Sequence, residues 1–417
     1  MLSSSERPVV IVGAGIVGLC CAYYLRRSGR EVLLVDRSLP GSGCSFGNSG
    51  AISENSITPI GMPGVLKQAP SMLLSSRSPL SVPFSYIGTA APWLKSFVQH
   101  SSASQVTRIA SVLKTFLAGT AARHRALMGD VGALDLLHSG GQLHVYTSER
   151  ALQADQLTWR LRREGGTVAE TLGRGAMLEL EPALNERYQA AMYLPHQSWL
   201  ADPYQYCQRI YRAVQERGGA YRQSEVLAIR KQPDGWQVLL GGDESIIADQ
   251  VIVCSGVATR QLLQPLGLEL PLISQRGYHL HAWSPNVKVN RIVALADRKA
   301  FISPMGDGLR IGGTVEFDDP AKPPNDKRAA HLAEHLQQAI NGVNAANSTR
   351  WMGNRPCCPD SMPLIGSPAQ HPGLWYAAGH GHLGLTGAAN TGHLIAESIA
   401  TGVLAAPLKP LSLSRFG

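Results

Sequence analysis

Between Glu54 and Asp130 the chain has no acidic residue at all. The gap holds Lys67, Arg77, Lys95, Arg108, Lys114, Arg123 and Arg125, so it accounts for all but one unit of the formal net charge of +8. The rest of the chain is nearly neutral, and no nucleic-acid partner is expected. Also missing are a CxxC pair and any His/Cys spacing of a zinc site, which excludes a structural metal. Of the seven cysteines, Cys20–Cys21 and Cys357–Cys358 are adjacent pairs, which rarely close internal disulfides. Reduced thiols and a cytoplasmic setting are expected. Charged residues make up only 16% and hydrophobic residues 44%, the balance of an ordinary folded protein. No uncharged apolar run is long enough to cross a bilayer. Val9–Leu25 comes nearest, but three glycines interrupt it and a second strand ending in Asp36 follows, so the targeting reading is rejected.

What is present begins with a β–α–β unit. Pro8–Val12 reads as a short buried strand, Ile16–Ser28 as a buried helix and Glu31–Val35 as the next strand. Gly13-Ala-Gly15-Ile-Val-Gly18 fits G-x-G-x-x-G, and Asp36 follows Gly13 by 23 residues. Gly13 permits the tight turn, Gly15 a close backbone approach to a pyrophosphate, and Gly18 close helix–strand packing. The open helix N-terminus offers N–H groups to phosphate, and Asp36 is placed to accept from a ribose. Further along, helices are expected at Val65–Leu74, Pro92–His100, Gln105–Met128, Glu149–Arg163, Pro203–Glu216 and Lys327–Ile340. Strands are expected at Gly141–Thr147, Ala190–Leu194 and Gln250–Cys254, and across Pro271–Phe317 as an antiparallel sheet. Leu374–Ala377 and a closing helix to Thr401 end the pattern.

Several motifs follow the fingerprint in one order: Gly47-Asn-Ser-Gly-Ala-Ile-Ser53, Arg276-Gly-Tyr278, Gly353-Asn-Arg-Pro356 with Asp360 and Pro363, and Gly379-His-Gly-His-Leu-Gly384. Together they resemble the D-amino acid oxidase/glycine oxidase superfamily of FAD flavoproteins over nearly the whole chain, with the bacterial D-amino acid dehydrogenase branch nearest. The resemblance implies an α/β (α+β) fold: a discontinuous Rossmann-like FAD-binding domain and an antiparallel-sheet substrate domain. The first draws on residues 1–60, 201–262 and 345–417. The second draws on 61–200 and 263–344, with a basic apolar lobe at about 61–125.

The same resemblance places Arg37, Ser45, Asn48, Ser49 and Gly50 beside the pyrophosphate and flavin ring, and Val226 where a backbone pairs with adenine. It puts Gly379, His380, Gly381, Gly384, Leu385 and Thr386 at the pyrimidine edge of a noncovalent flavin. There a helix N-terminus stabilises the negative charge of reduction. Arg355 would anchor a substrate carboxylate in a bidentate pair that Lys cannot copy. Tyr278 would donate to the same carboxylate, and His382 would stand near the flavin. Arg276 and Arg310 are weaker pocket candidates. The implied reaction is oxidation of a D-amino acid, or of a cyclic imino acid such as a D-proline derivative, by hydride transfer to flavin N5 with a respiratory quinone as acceptor. An oxygen-using oxidase and a flavoprotein subunit of a membrane complex are the alternatives. The basic segment, with Leu73, Leu74, Trp93 and Phe97, reads as a surface anchor on anionic lipid at the inner face of the plasma membrane.

Overall fold

The computed structural model describes residues 7–63 and 80–417. The helix expected at Val65–Leu74 lies outside them, as do Lys67, Arg77, Leu73 and Leu74. Strands Val9–Val12, Val32–Asp36, Ala220–Gln223, Val251–Val253 and Leu374–Ala378 run parallel in one sheet, and Leu364–Gly366 closes its edge antiparallel. Val9–Val12 is buried on both faces, which explains its unbroken run of branched residues. Helix Ile16–Arg27 packs on one face beside helices Pro203–Glu216 and Gly384–Thr401. The crossing is close: a Cβ on Gly392 would lie 2.5 Å from the Cys20 backbone, and one on Gly18 would meet the Gly13 carbonyl.

A larger mixed sheet forms the second layer. Strand Ile273–Trp283 is its axis, paired antiparallel with Gly308–Gly312, Val315–Phe317 and Ser348–Cys357. Beyond it follow Ala300–Met305, Ile292–Leu295, Gln142–Tyr146, Ala190–Leu194 and Glu170–Gly173. Helix Asp326–Ala339 covers the outer face through Ala329, Leu332 and Leu336.

Four expectations need correction. The domain boundary at 345 comes too early: residues 348–357 pair along ten positions with the substrate-side strand, so the chain returns to the nucleotide-binding sheet only afterwards. The helix Gln105–Met128 is two, Ala103–Leu117 and Thr120–Asp130, broken where Gly119 takes a positive φ of 69°. Both belong to the nucleotide-binding layer, because Ile109, Leu113, Phe116 and Leu127 fill the core beneath the last helix. The helix Glu149–Arg163 is also two, Glu149–Ala154 and Gln156–Glu164. Trp93 and Phe97 do not face outward. They stack at 5.3 Å, Trp93 is 7% exposed, and its indole donates to the Cys357 carbonyl at 3.1 Å.

Gly392→Ala tests the helix crossing. Overpacking against backbone is expected to cost about 1–3 kcal/mol, read as a lower denaturation midpoint with an unchanged slope. An unchanged midpoint would show that the crossing has slack.

Candidate functional site: a dinucleotide cradle joined to an arginine-lined cavity

One cavity of about 1390 Å³ runs from the glycine fingerprint to the large sheet. That exceeds the few hundred to about 1,000 Å³ of a single small-ligand pocket, so there is room for a cofactor and a substrate together. At its first end Gly13 has φ 107°, and a Cβ there would lie 2.5 Å from the Cys254 carbonyl. Helix Ile16–Arg27 has no side-chain cap and no acid in its first turn, which leaves its N-terminus open to an anion. Ser45 Oγ accepts from Ile16 N at 2.9 Å. The Asp36 carboxylate is fixed by Ala14 N at 2.7 Å and Ser38 N at 2.9 Å. Each oxygen keeps a free lone pair. Arg37 pairs with Glu225 at 3.6 Å, both exposed, and Val226 lines the cavity at the start of strand Val226–Gln232. These residues fit the ADP half of a dinucleotide.

The loop 41–50 then crosses to the large sheet. Asn48 Oδ1 accepts from Gly50 N, and Arg310 Nη1 donates to the Phe46 and Asn48 carbonyls at 2.9 and 2.6 Å. Ser49 also lines the cavity. Gly379 and Gly381 take φ values of 69° and 51° to turn the chain into helix Gly384–Thr401. The first turn of that helix includes Leu385 and Thr386, whose carbonyls accept from His124 Nε2. His380 contributes backbone only, because its ring is turned inward onto Thr391 Oγ1 at 3.0 Å.

Arg355 sits at the junction of the two layers. Its guanidinium lies over Gly277, where a Cβ would be 2.1 Å from Cζ. Nη1 donates to the Thr314 carbonyl at 3.0 Å, and no carboxylate comes within ion-pair distance among the described residues. Burial pulls its pKa below the ordinary value, offset in part by Cys357 and Cys44. His382 lies near it with no hydrogen-bond partner among the described residues, its pKa pushed down to about 3 by burial and then by the Arg355 charge. The ring faces the cavity, and the neighbouring guanidinium favours its neutral form.

Tyr278 is a correction. Strand alternation turns it to the other face, where its hydroxyl donates to Glu316 at 2.5 Å and accepts from Asn325 N at 3.1 Å. Its single proton is committed inside the core. Arg276 points the same way and pairs with Glu316 and Asp318 at 3.3 and 3.7 Å. The cavity side of this strand belongs to Gly277 and His279 instead. His279 stacks on Trp351 at 5.0 Å, and both rings lie near Phe46. The sequence signal for this was a glycine flanked by large residues in mid-strand, the mark of a close approach by another group.

A mainly parallel sheet carrying a glycine fingerprint, joined to a mixed sheet that presents an arginine with no carboxylate partner among the described residues, has the features of a nucleotide-cofactor oxidoreductase. The comparisons narrow this. The chain belongs to the family described as DAO, FAD dependent oxidoreductase, which it matches over residues 8–398. It is 31% identical to a D-amino-acid oxidase of Bradyrhizobium diazoefficiens, over 98% of this chain and 99% of that one. It is 28% identical to a D-amino acid dehydrogenase of Methylobacterium nodulans, with 94% of each covered. A glycine oxidase structure from Geobacillus kaustophilus shares the fold at TM-score 0.74, with 21% identity and 99% of both chains covered. FAD is the cofactor of this family, and the cradle described above fits its ADP half.

The buried histidines set an acid limit on stability. His124 and His380 have pKa values lowered to about 4, chiefly by burial. Unfolded, each regains a pKa of roughly 6.5. Between pH 6.5 and about 4 the unfolded chain therefore binds protons that the folded chain does not. Stability falls with falling pH by up to about 1.4 kcal/mol per unit for each ring. Denaturant titrations at pH 7 and pH 5 are expected to show the drop, and His380→Gln should reduce it. An equal loss in that variant would assign the effect elsewhere.

Proposed function

We propose that this enzyme oxidises the Cα–N bond of a D-amino acid, or of a cyclic imino acid such as a D-proline derivative, to the imine. The observation that carries the reading is Arg355. It is a half-buried guanidinium with no carboxylate partner among the described residues, in the same cavity as the dinucleotide cradle. A planar fork in that state suits an α-carboxylate. The names of the two relatives support the D-configuration.

Arg355 pins the carboxylate, and the Gly277 surface beneath it fixes how far the substrate sinks. His382 stands near Arg355, whose charge favours the neutral imidazole. The Cα–H then departs as hydride while the amine lone pair closes the C=N bond. FAD bound along the cavity supplies the two-electron acceptor. An acyclic imine hydrolyses to the 2-oxo acid and ammonia, and a cyclic one persists as a pyrroline. Ser45, Asp36 and the Val226 backbone hold the pyrophosphate, ribose and adenine in this reading. Most of the rate comes from positioning and water exclusion rather than from a strong base.

The natural acceptor is the finer question, since one relative is called an oxidase and the other a dehydrogenase. One surface feature favours a membrane quinone. Phe84, Ile87, Ala91 and Lys95 form an exposed stripe on helix Phe84–Gln99, with Phe84 95% exposed. It lies in the segment that has no acidic residue. An apolar stripe in basic surroundings suits anionic lipid.

Anaerobic flavin bleaching by a panel of D- and L-amino acids and D-proline tests the reaction. D-substrates are expected to bleach it, and Arg355→Lys should lower kcat/KM by about 30- to 1000-fold, or roughly 2–4 kcal/mol, with FAD still bound. Equal kcat/KM in the variant would make the arginine structural. Sedimentation with anionic liposomes tests the surface: binding at low salt should weaken steeply at high salt and in Phe84→Ser. A protein that stays in the supernatant points to oxygen or a soluble acceptor.

A further inference from the structure

The cavity has a second polar end, which the proposed reaction leaves unused. Asp155, Thr158 and Arg162 fall on one stripe at the start and along helix Gln156–Glu164. Gln142 and His144 alternate onto the same side of strand Gln142–Tyr146, and Lys299 stands just before strand Ala300–Met305. All six line the cavity that Arg355 lines.

Much of this group is already committed to partners. Trp159 Nε1 donates to the Tyr146 hydroxyl at 2.8 Å, which donates to Asp155 Oδ2 at 2.7 Å. Gln142 Nε2 and Arg162 Nη1 lie 3.0 and 3.4 Å from His144 Nε2. Both are donors, so that ring nitrogen is the unprotonated acceptor. Burial, and then the Arg162 and Lys299 charges, hold the ring neutral.

The two cations are not satisfied in the same way. Arg162 rests over the Trp159 ring at 5.0 Å, and its Nε is buried without a hydrogen-bond partner. No carboxylate lies within 4.0 Å of it or of Lys299 among the described residues. Asp155 is near enough to act on Arg162 electrostatically, which leaves one of the two positive charges uncompensated. A partly desolvated guanidinium with most donors open needs an anion. Lys299 is exposed at the cavity rim, in the turn that joins strand Ile292–Leu295 to Ala300–Met305.

We propose that Arg162 and Lys299 form a second anion subsite, so that the substrate is an amino acid bearing another acidic group at the end of a long side chain. This deepens the reading of Arg355 as the α-carboxylate anchor and rests on it. The Arg355 guanidinium lies over strand Ile273–Trp283. Strand Ala300–Met305 is two places along the sheet from it and Gln142–Tyr146 is four. At about 4.8 Å per place, and with side chains reaching inward from both ends, the two acids are on the order of 10 Å apart. That is seven or eight bonds of extended chain at roughly 1.2 Å each. Aspartate and glutamate are too short to span it.

The test compares anaerobic flavin reduction by D-2-aminosuberate and by D-2-aminooctanoate, which have equal length and differ in the terminal acid. The holoenzyme is expected to favour the diacid by at least tenfold in kcat/KM. Arg162→Met and Lys299→Gln should each shrink that ratio. Arg162→Glu should turn the preference toward D-2,8-diaminooctanoate. If the Arg162 variants do not fold, Lys299→Gln at the rim carries the comparison. A ratio near one in the parent, or one that the substitutions leave untouched, overturns the subsite and spares the amino acid reading. No bleaching by any amino acid overturns both.

Discussion

A guanidinium resting on a glycine holds the site together. Arg355 comes from strand Ser348–Cys357, Gly277 from Ile273–Trp283, and the two strands pair over ten positions. The ladder fixes the height of the arginine, and the missing side chain at 277 lets it lie flat across the sheet. Thr314 takes one of its N–H groups from the neighbouring strand end. With no acid at hand among the described residues, the charge is left facing the cavity. A half-buried cation without an anion is an open position for one, which is the role proposed for the substrate carboxylate.

The second constraint is closeness. Gly13 sits against the Cys254 carbonyl, Gly18 against Gly13, and Gly392 against the Cys20 backbone. These contacts bring helix Ile16–Arg27 down onto the sheet and the last helix down onto that one. The N-terminus of the first helix and the turn at Gly379–Gly381 consequently face the same cavity. Loop 41–50 ties them to the large sheet through Ser45 at one end and Arg310 at the other. The cofactor cradle and Arg355 are thus held by one continuous set of close contacts.

The nucleotide fingerprint was legible because each residue in it answers a local demand: a positive φ, a close approach, an open helix end. The place of Arg355 on the cavity was legible through its motif. Tyr278 was misread because a motif does not say which way a strand residue faces; its neighbours Gly277 and His279 take the cavity side by simple alternation. Trp93 and Phe97 were misread for a related reason. An aromatic beside basic residues looks alike at a lipid surface and over a buried strand, and only the tertiary contact with Cys357 separates the two. The break at Gly119 carried a visible signal, a glycine within a helical pattern. The distal cations did not: Arg162 and Lys299 lie in separate elements, and only the sheet order brings them near the same cavity.

The most direct measurement of the carboxylate-receptor claim is a titration of holoenzyme with propionate, the deaminated analogue of alanine, followed by the flavin absorption spectrum. A saturable spectral change is expected, with Kd weakened at least tenfold by Gly277→Ala, which leaves Arg355 in place but lifts it off its seat. Equal propionate affinity in Gly277→Ala and the parent would contradict the account.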